Sequence, residues 1–509
     1  MKPIICEMRK GNFLRRLASM KNALIISGLI SGLALTAAGI YALGSPAEAK
    51  GASEQARSQV QAGASAPSSA VVTAPSAAAV DFEVEDRLLL LALLRRGEAY
   101  GDPAIRTEIS RRFDAAWVAP TLEVFNFVYD PTVRNHLLNE LRQETGQDFG
   151  TDMNRWFRWM WNQPELKSVG YDQFKADFYK NIDGRFGRYF EGRADSTTIR
   201  LDEVRWGGVR QDGIPPLRGP KMLNVKQAKY LDDDDVVFGI EVNGDVRAYP
   251  KRILAWHEMF TDTVGGVEVA GVYCTLCGTV VLYDTVLNGQ KYDLGTSGFL
   301  LRSNKLMYDK DTQSLWNTLK GEPVVGPLVG KGIALDHRSV VTTTWEKWKE
   351  LHPQTQVLSL DTGHRRNYDE GVAYHDYFST DDLMFNTPYQ DSRLANKQEV
   401  LALRFKGQPG SIAIDTDYLN KNPVYSGILG SQKFVVLTDE TGANRVYNPG
   451  DVKIVKSDGK TAVDSNGGTW KIAEARLTSN DGRELKRLPY HRAFWFGWQA
   501  AFPSTTLVK

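Results

Sequence analysis

A tryptophan pair occurs twice in this chain. Trp345-x-x-Trp348 is followed by Pro353 and Thr355, and Trp495-x-x-Trp498 by Pro503 and Thr505, every spacing matching at an offset of 150 residues. Two tryptophans one turn apart put two large apolar faces on the same side of a short helix, and the proline cannot continue it. A chain that carries this signature twice is predicted to hold two related units, each packing a short helix onto a sheet. Upstream, residues 237–240 with 243–249 resemble 435–438 with 441–447, and Trp316 is matched with Trp470. The units are thereby set at about 233–360 and 433–509. On this alignment the second unit lacks the segment carrying Cys274 and Cys277, so the distinctive chemistry is expected in the first and scaffold in the second.

The rest of the chain changes texture along its length. Residues 1–49 hold six Lys/Arg and two Asp/Glu, and from Ala23 to Leu43 no charge appears. A basic stretch before an apolar run of that length reads as a membrane-crossing helix with its amino end inside, and Ala47-Glu48-Ala49 reads as a signal peptidase site. We read 1–49 as a signal peptide or N-terminal membrane anchor. Everything after it is expected outside the cytoplasm: periplasmic or extracytoplasmic, soluble or anchored to the inner membrane. Residues 50–80 are Ala/Ser-rich with almost no large apolar residue, the composition of a flexible linker.

From 81 to about 200 the apolar residues recur at three to four positions, with Asp102-Pro103 and Asp130-Pro131 as helix starts. Trp156, Trp159 and Met160 form a stripe that reads as core. From about 201 the pattern becomes short strands, with a tight Asn243-Gly244 turn between two of them. The expected fold is α+β. A small helical domain (81–200) precedes a mainly-β domain with short helices and the Cys-x-x-Cys turn (201–400), and a second, degenerate β unit (401–509) follows.

Lys+Arg 62 against Asp+Glu 61 gives a net charge of +1, which argues against a nucleic-acid partner. Three cysteines in 509 residues exclude a disulfide-stapled scaffold. No phosphate loop or nucleophile elbow is present: Gly330-Lys331 is followed by Gly332, and Gly295-Thr296-Ser297-Gly298 has the wrong spacing. Asp232 to Asp235 reads as a solvated loop before a strand. Chemistry converges on Tyr273-Cys274-Thr275-Leu276-Cys277-Gly278-Thr279, a bend between two strands. Such a bend suits a metal knuckle, a dithiol cycling with a disulfide, or a plain local disulfide. A four-ligand zinc or copper site would need two further donors. His257 is the first candidate and His352 the second, with Met259, Met307 and Met384 as options for copper. The polar clusters Gly295-Thr296-Ser297-Gly298-Phe299 and Ser303-Asn304-Lys305-Leu306-Met307-Tyr308-Asp309 read either as turns or as the lining of a pocket beside the bend.

The bend, with Trp206-Gly207-Gly208-Val209, Asp212-Gly213-Ile214-Pro215-Pro216-Leu217, Arg247-Ala248-Tyr249-Pro250, Trp256-His257-Glu258, Ser303-Asn304-Lys305-Leu306-Met307-Tyr308-Asp309 and Gly326-Pro327-Leu328, resembles a bacterial and archaeal domain-of-unknown-function family with a Tyr-Cys-x-Leu-Cys-Gly-Thr motif. The resemblance covers about 200–400. It implies a shared fold and no assigned reaction. It also implies exported or membrane-attached relatives, some with selenocysteine in the turn, which favours redox work.

Three functions follow as expectations. The first is an exported thiol oxidoreductase using Cys274 and Cys277, with His257 as proton acceptor or thiolate stabiliser. The second is a metal-binding module using Cys274, Cys277, His257 and His352. The third is a structural or interaction protein of the envelope, with a protein partner on the helical domain.

Overall fold

The computed structural model describes residues 80–94, 102–165 and 168–509, all within one unit, Val80–Lys509. The uncharged segment, the signal-peptidase site, Cys6 and nearly all of the linker lie outside the described residues. Among the described residues, no helix is long and apolar enough to cross a membrane.

The first layer is helical, built from Val84–Ala92, Pro103–Arg112, Ala115–Val124, Pro131–Thr145, Met153–Trp161 and Tyr171–Tyr179. Both Asp-Pro starts act as read. Asp102 accepts from the backbone N–H of Ala104 at 2.8 Å, and Asp130 from Thr132 at 2.8 Å and Val133 at 3.0 Å. Each carboxylate satisfies amide donors that the first helical turn leaves open. In the expected stripe Trp156 and Met160 are buried. This layer grips the β region around Phe299, whose ring meets Tyr179 and Phe186 edge-on at 4.9 Å each.

The β region is a duplication, and hydrogen-bond register defines it. In the first repeat, Val341–Thr344, Val236–Val242, Asp245–Pro250 and Gln356–Leu358 lie side by side, antiparallel, antiparallel and then parallel. In the second, His491–Phe494, Glu399–Leu403, Ile412–Asp415 and Thr506–Val508 repeat that order and those directions. The Trp helices, Trp345–Leu351 and Trp495–Ala501, follow the outer strand of each. Trp345 N–H donates to Asp235 O at 2.8 Å and Trp495 N–H to Gln398 O at 2.9 Å. The indole of Trp348 donates to Thr355 Oγ1 at 2.9 Å, and that of Trp498 to Thr505 Oγ1 at 3.0 Å. The threonine of the repeated motif is therefore the acceptor for a buried indole N–H. Trp316 and Trp470 also correspond: each donates to an aspartate that caps the preceding turn, Asp309 at 3.1 Å and Asp464 at 2.9 Å.

This register corrects the upstream alignment. Strand Val236–Val242 corresponds to Glu399–Leu403, not to the strand at 435–438, so the second repeat begins near 396 rather than 433. Strand Gln432–Thr438 instead matches Val267–Cys274, because each is the middle strand of the antiparallel set that follows the first short helix of its repeat. The second repeat thus does not lack the Cys hairpin. It lacks only the cysteines, and its turn reads Asp439-Glu440-Thr441-Gly442.

Each hairpin turn docks on the strand–helix junction of the other repeat. Phe494 N–H donates to Cys277 O at 2.8 Å. Reciprocally, Thr441 Oγ1 lies 3.2 Å from Thr343 Oγ1 and Lys347 pairs with Glu440. The Asn243-Gly244 turn has φ of 51° and 84°, as a two-residue hairpin of this hand requires. Asp232 to Asp234 are exposed as read, but Asp235 is buried and pairs with Arg252.

If the duplicated indole bonds are equivalent, Thr355→Val and Thr505→Val will each cost about 1–2 kcal/mol, since each strands a buried donor. Urea unfolding followed by tryptophan fluorescence measures both, and a loss in only one repeat would refute equivalence.

Candidate functional site

The two cysteines close on each other. Cys274 ends its strand, Cys277 N–H bonds back to Cys274 O at 3.2 Å, and the pair forms a disulfide with Cα atoms 5.5 Å apart. Gly278 follows at φ +57°. A Cβ there would stand 2.7 Å from the Phe494 ring, so both conformation and space demand glycine. Cys274 is 2% exposed and Cys277 0%. They sit in an apolar cluster with Leu276, Leu300, Tyr377, Phe494 and Phe496.

One side of this cluster is charged. Glu258 ends the helix Lys251–His257 in the left-handed conformation, with φ of 55°. Its carboxylate accepts from Thr275 Oγ1 at 3.3 Å and Tyr374 OH at 3.1 Å, and pairs with Lys305 Nζ at 3.0 Å. Lys305 also donates to Glu258 O at 3.1 Å. Glu258, Lys305 and Thr275 are all buried. Burial pulls the Lys305 pKa down, and Glu258 opposes the shift. A buried ion pair thus bonds the residue next to Cys274. Both members lie inside motifs singled out from the sequence, but neither was assigned a role there.

A strap covers the bend. Residues 359–398 join the two repeats, and their only helix or strand is the four-residue helix His375–Phe378. Three tyrosine hydroxyls tie the strap down around the disulfide: Tyr377 donates to Leu276 O at 2.6 Å, Tyr374 bonds Glu258, and Tyr368 lies 2.6 Å from His257 Nε2. His257 Nδ1 lies 2.8 Å from Pro215 O, which only accepts, so Nδ1 carries the proton and Nε2 accepts from Tyr368. Both ring nitrogens are thus engaged away from the sulfurs. Burial lowers the His257 pKa to about 4 and keeps the ring neutral, so it does not supply the imidazolium expected to stabilise a thiolate. Its part here is to anchor the strap.

Residues 211–505, more than half of the chain, match the family described as protein of unknown function, DUF3179. The chain belongs to the DUF3179 family. The match spans both repeats, the strap and the bend, well beyond the 200–400 seen by resemblance. No curated protein and no solved structure matches the chain.

Within this DUF3179 chain the proposed metal ligands are not gathered. His352 packs against Trp348 with ring centres 4.2 Å apart and planes tilted by 49°, and lies 3.4 Å from Glu474. The matching residue of the second repeat is Phe502, packed against Trp498 with ring centres 4.3 Å apart and a similar tilt, so the position serves packing. Met259 and Met307 are buried in a separate apolar cluster, and Met384 is exposed on the strap. Among the described residues, no three His, Cys, Asp or Glu side chains group to hold an ion. Of the two polar clusters, Ser303-Asn304-Lys305 does reach the bend. Asn304 also lines a polar cavity of about 560 Å³ with Glu203, Arg302, Asn317 and Lys320.

Two predictions follow. His257 and His491 are buried and His337 is half-buried; the pKa values of His257 and His337 are lowered to about 4 and that of His491 well below the ordinary value, each chiefly by desolvation. Neither ring nitrogen of His491 has a partner. The unfolded chain binds protons at these sites near pH 6.5 and the fold does not, so stability is full above that pH and falls as pH drops toward 4. The slope is about 1.4 kcal/mol per pH unit for each such histidine. Urea midpoints will be lower at pH 5 than at pH 7; equal midpoints would exclude three neutral histidines. Separately, Lys305→Met leaves the Glu258 charge buried alone and will cost about 3–5 kcal/mol. The double variant with Glu258→Gln will recover much of that loss in the same assay, and a double variant no better than the single would refute the ion pair's role.

Proposed function

We propose that this DUF3179 protein is an exported thiol–disulfide protein. Its working pair is Cys274 and Cys277, kept oxidised beneath a strap that opens to admit a partner thiol. The observation that carries the reading is a juxtaposition: a buried Glu258–Lys305 pair hydrogen-bonded to Thr275, beside a disulfide in which no other cysteine of the described residues takes part. Buried titratable groups placed against a redox bond suit proton exchange during its reduction. The basic-then-apolar N-terminal segment supports delivery to an oxidising compartment, where such a pair is closed at rest.

The chemistry balances as an exchange. A partner thiolate attacks one sulfur, a mixed disulfide forms, and the other sulfur leaves as a thiolate that takes up a proton. A second partner thiol then releases the mixed disulfide. The partner ends as a disulfide, and Cys274 and Cys277 end as thiols with the two electrons. Lys305 and Glu258 are the groups on hand to pass the protons. The metal reading receives no comparable support.

One observation favours a second reading. The second repeat builds the equivalent turn without sulfur, Asp439 accepting from Thr441 and Ala443 N–H at 3.0 and 3.1 Å. Docking therefore does not require a disulfide, but a disulfide could serve as a local staple of the same kind. The two readings separate in a reduction experiment. The double variant Tyr374→Phe/Tyr377→Phe removes two strap bonds, each about 1 kcal/mol. With dithiothreitol under conditions where both proteins stay folded, followed by alkylation and mass analysis, the redox reading expects reduction at least about tenfold faster than in the wild type. Reduction that occurs only at the rate of global unfolding, in both proteins alike, would establish the staple.

A further inference from the structure

Asn304 opens the strand Asn304–Asp309 and is 5% exposed. Its amide nitrogen donates to Gly497 O at 3.0 Å and to Arg302 O at 3.4 Å. Both partners only accept, which fixes the orientation of the amide and makes Oδ1 the remaining atom. That oxygen is buried and receives no hydrogen bond. Its surroundings are marked by Gly497, the helical glycine of the second Trp pair. The position a Cβ would take on Gly497 is 2.7 Å from Cys277 Cβ and 3.5 Å from Asn304 Oδ1. The bare α-carbon therefore makes room for the Cys277 side chain, and the unpaired oxygen borders the same space.

A disulfide sulfur has no hydrogen to offer this oxygen, whereas a thiol has one. We infer that Asn304 Oδ1 is the acceptor waiting for the Cys277 S–H of the reduced protein. The inference rests on the redox reading above and names what tunes it. When a partner dithiol gives up two electrons and two protons and becomes a disulfide, Cys277 emerges as a thiol. It then makes a hydrogen bond that the oxidised state cannot. The reduced form is stabilised, and the Cys274–Cys277 couple is a stronger oxidant than it would be without Asn304.

The test compares wild type with Asn304→Ala in a Cys6→Ser background. Each protein is equilibrated in dithiothreitol redox buffers, alkylated and weighed. The equilibrium constant for reduction is expected to fall about fivefold in the variant, equivalent to a potential about 20 mV lower. A second readout does not need the disulfide to cycle. In Cys274→Ser, Cys277 is a free thiol, and its infrared S–H stretching band will move to higher frequency when Asn304→Ala is added, as a thiol that has lost its acceptor does. A loss of packing alone would not produce that shift. An unmoved band, or an unmoved potential in a protein that reduces reversibly, overturns the assignment and leaves the redox reading standing. A wild-type disulfide that resists every buffer short of unfolding overturns the redox reading, whatever the band does.

Discussion

The mutual docking of two hairpin turns organises the molecule. Each repeat offers a turn and a strand–helix junction, and each turn is received by the junction of the other copy. On one side the bond is Phe494 N–H to Cys277 O; on the other it is the Thr343–Thr441 contact with Lys347 and Glu440. The junction's geometry is set in turn by the Trp helices, each ending in a buried indole bonded to threonine. Moving a turn therefore disturbs a helix in the opposite repeat. This explains why the sulfurs are so deeply covered: the bend is an interface element, and interfaces exclude water.

The comparison of the two turns separates what the fold needs from what this site adds. In the second repeat the turn is held by one aspartate, whose partner Arg445 also pairs with Glu474. That arrangement satisfies every demand of docking. In the first repeat Thr275 stands in the aspartate's place and a disulfide closes the turn. A buried Glu258–Lys305 pair adjoins it and an aromatic strap lies over it; the second turn likewise has a buried ion pair beside it, Asp439 with Arg445. A buried ion pair is weak evidence for stability, because desolvation offsets much of its attraction. Each turn is thus held beside a buried ion pair, and what the first turn adds is the disulfide.

The α+β class and the two Trp helices were legible because they rest on local rules: large apolar residues one turn apart, a proline stop, Asp-Pro helix starts. The equivalence of His352 with Phe502 was also in the sequence, at the same offset as the tryptophans, and it marks an aromatic packing position. The upstream alignment went astray for a physical reason. Hairpins share one texture, alternating apolar residues around a Gly turn, so one hairpin matches another almost anywhere. Only hydrogen-bond register distinguishes them, and register joins residues as distant as Asp235 and Trp345. Glu258 and Lys305 went unassigned because charged residues are read as surface by default. Their burial depends on strands that approach only after folding.

The strap links the site to the helical layer. Asn386 donates to Asn154 O at 2.8 Å, and Asn162 donates to Pro388 O at 3.2 Å, so one end of the strap is tied to the helix Met153–Trp161 and the residue after it. Along its length the strap exposes Val372, Met384 and Tyr389, while its Tyr374, Tyr377 and Phe378 pack against the cysteine cluster. On the proposed redox reading, whatever shifts the helical layer or lands on the exposed side of the strap biases access to the sulfurs. Control of such a site would then lie in the hydroxyl anchors, which are single hydrogen bonds and open far more readily than the interface beneath them.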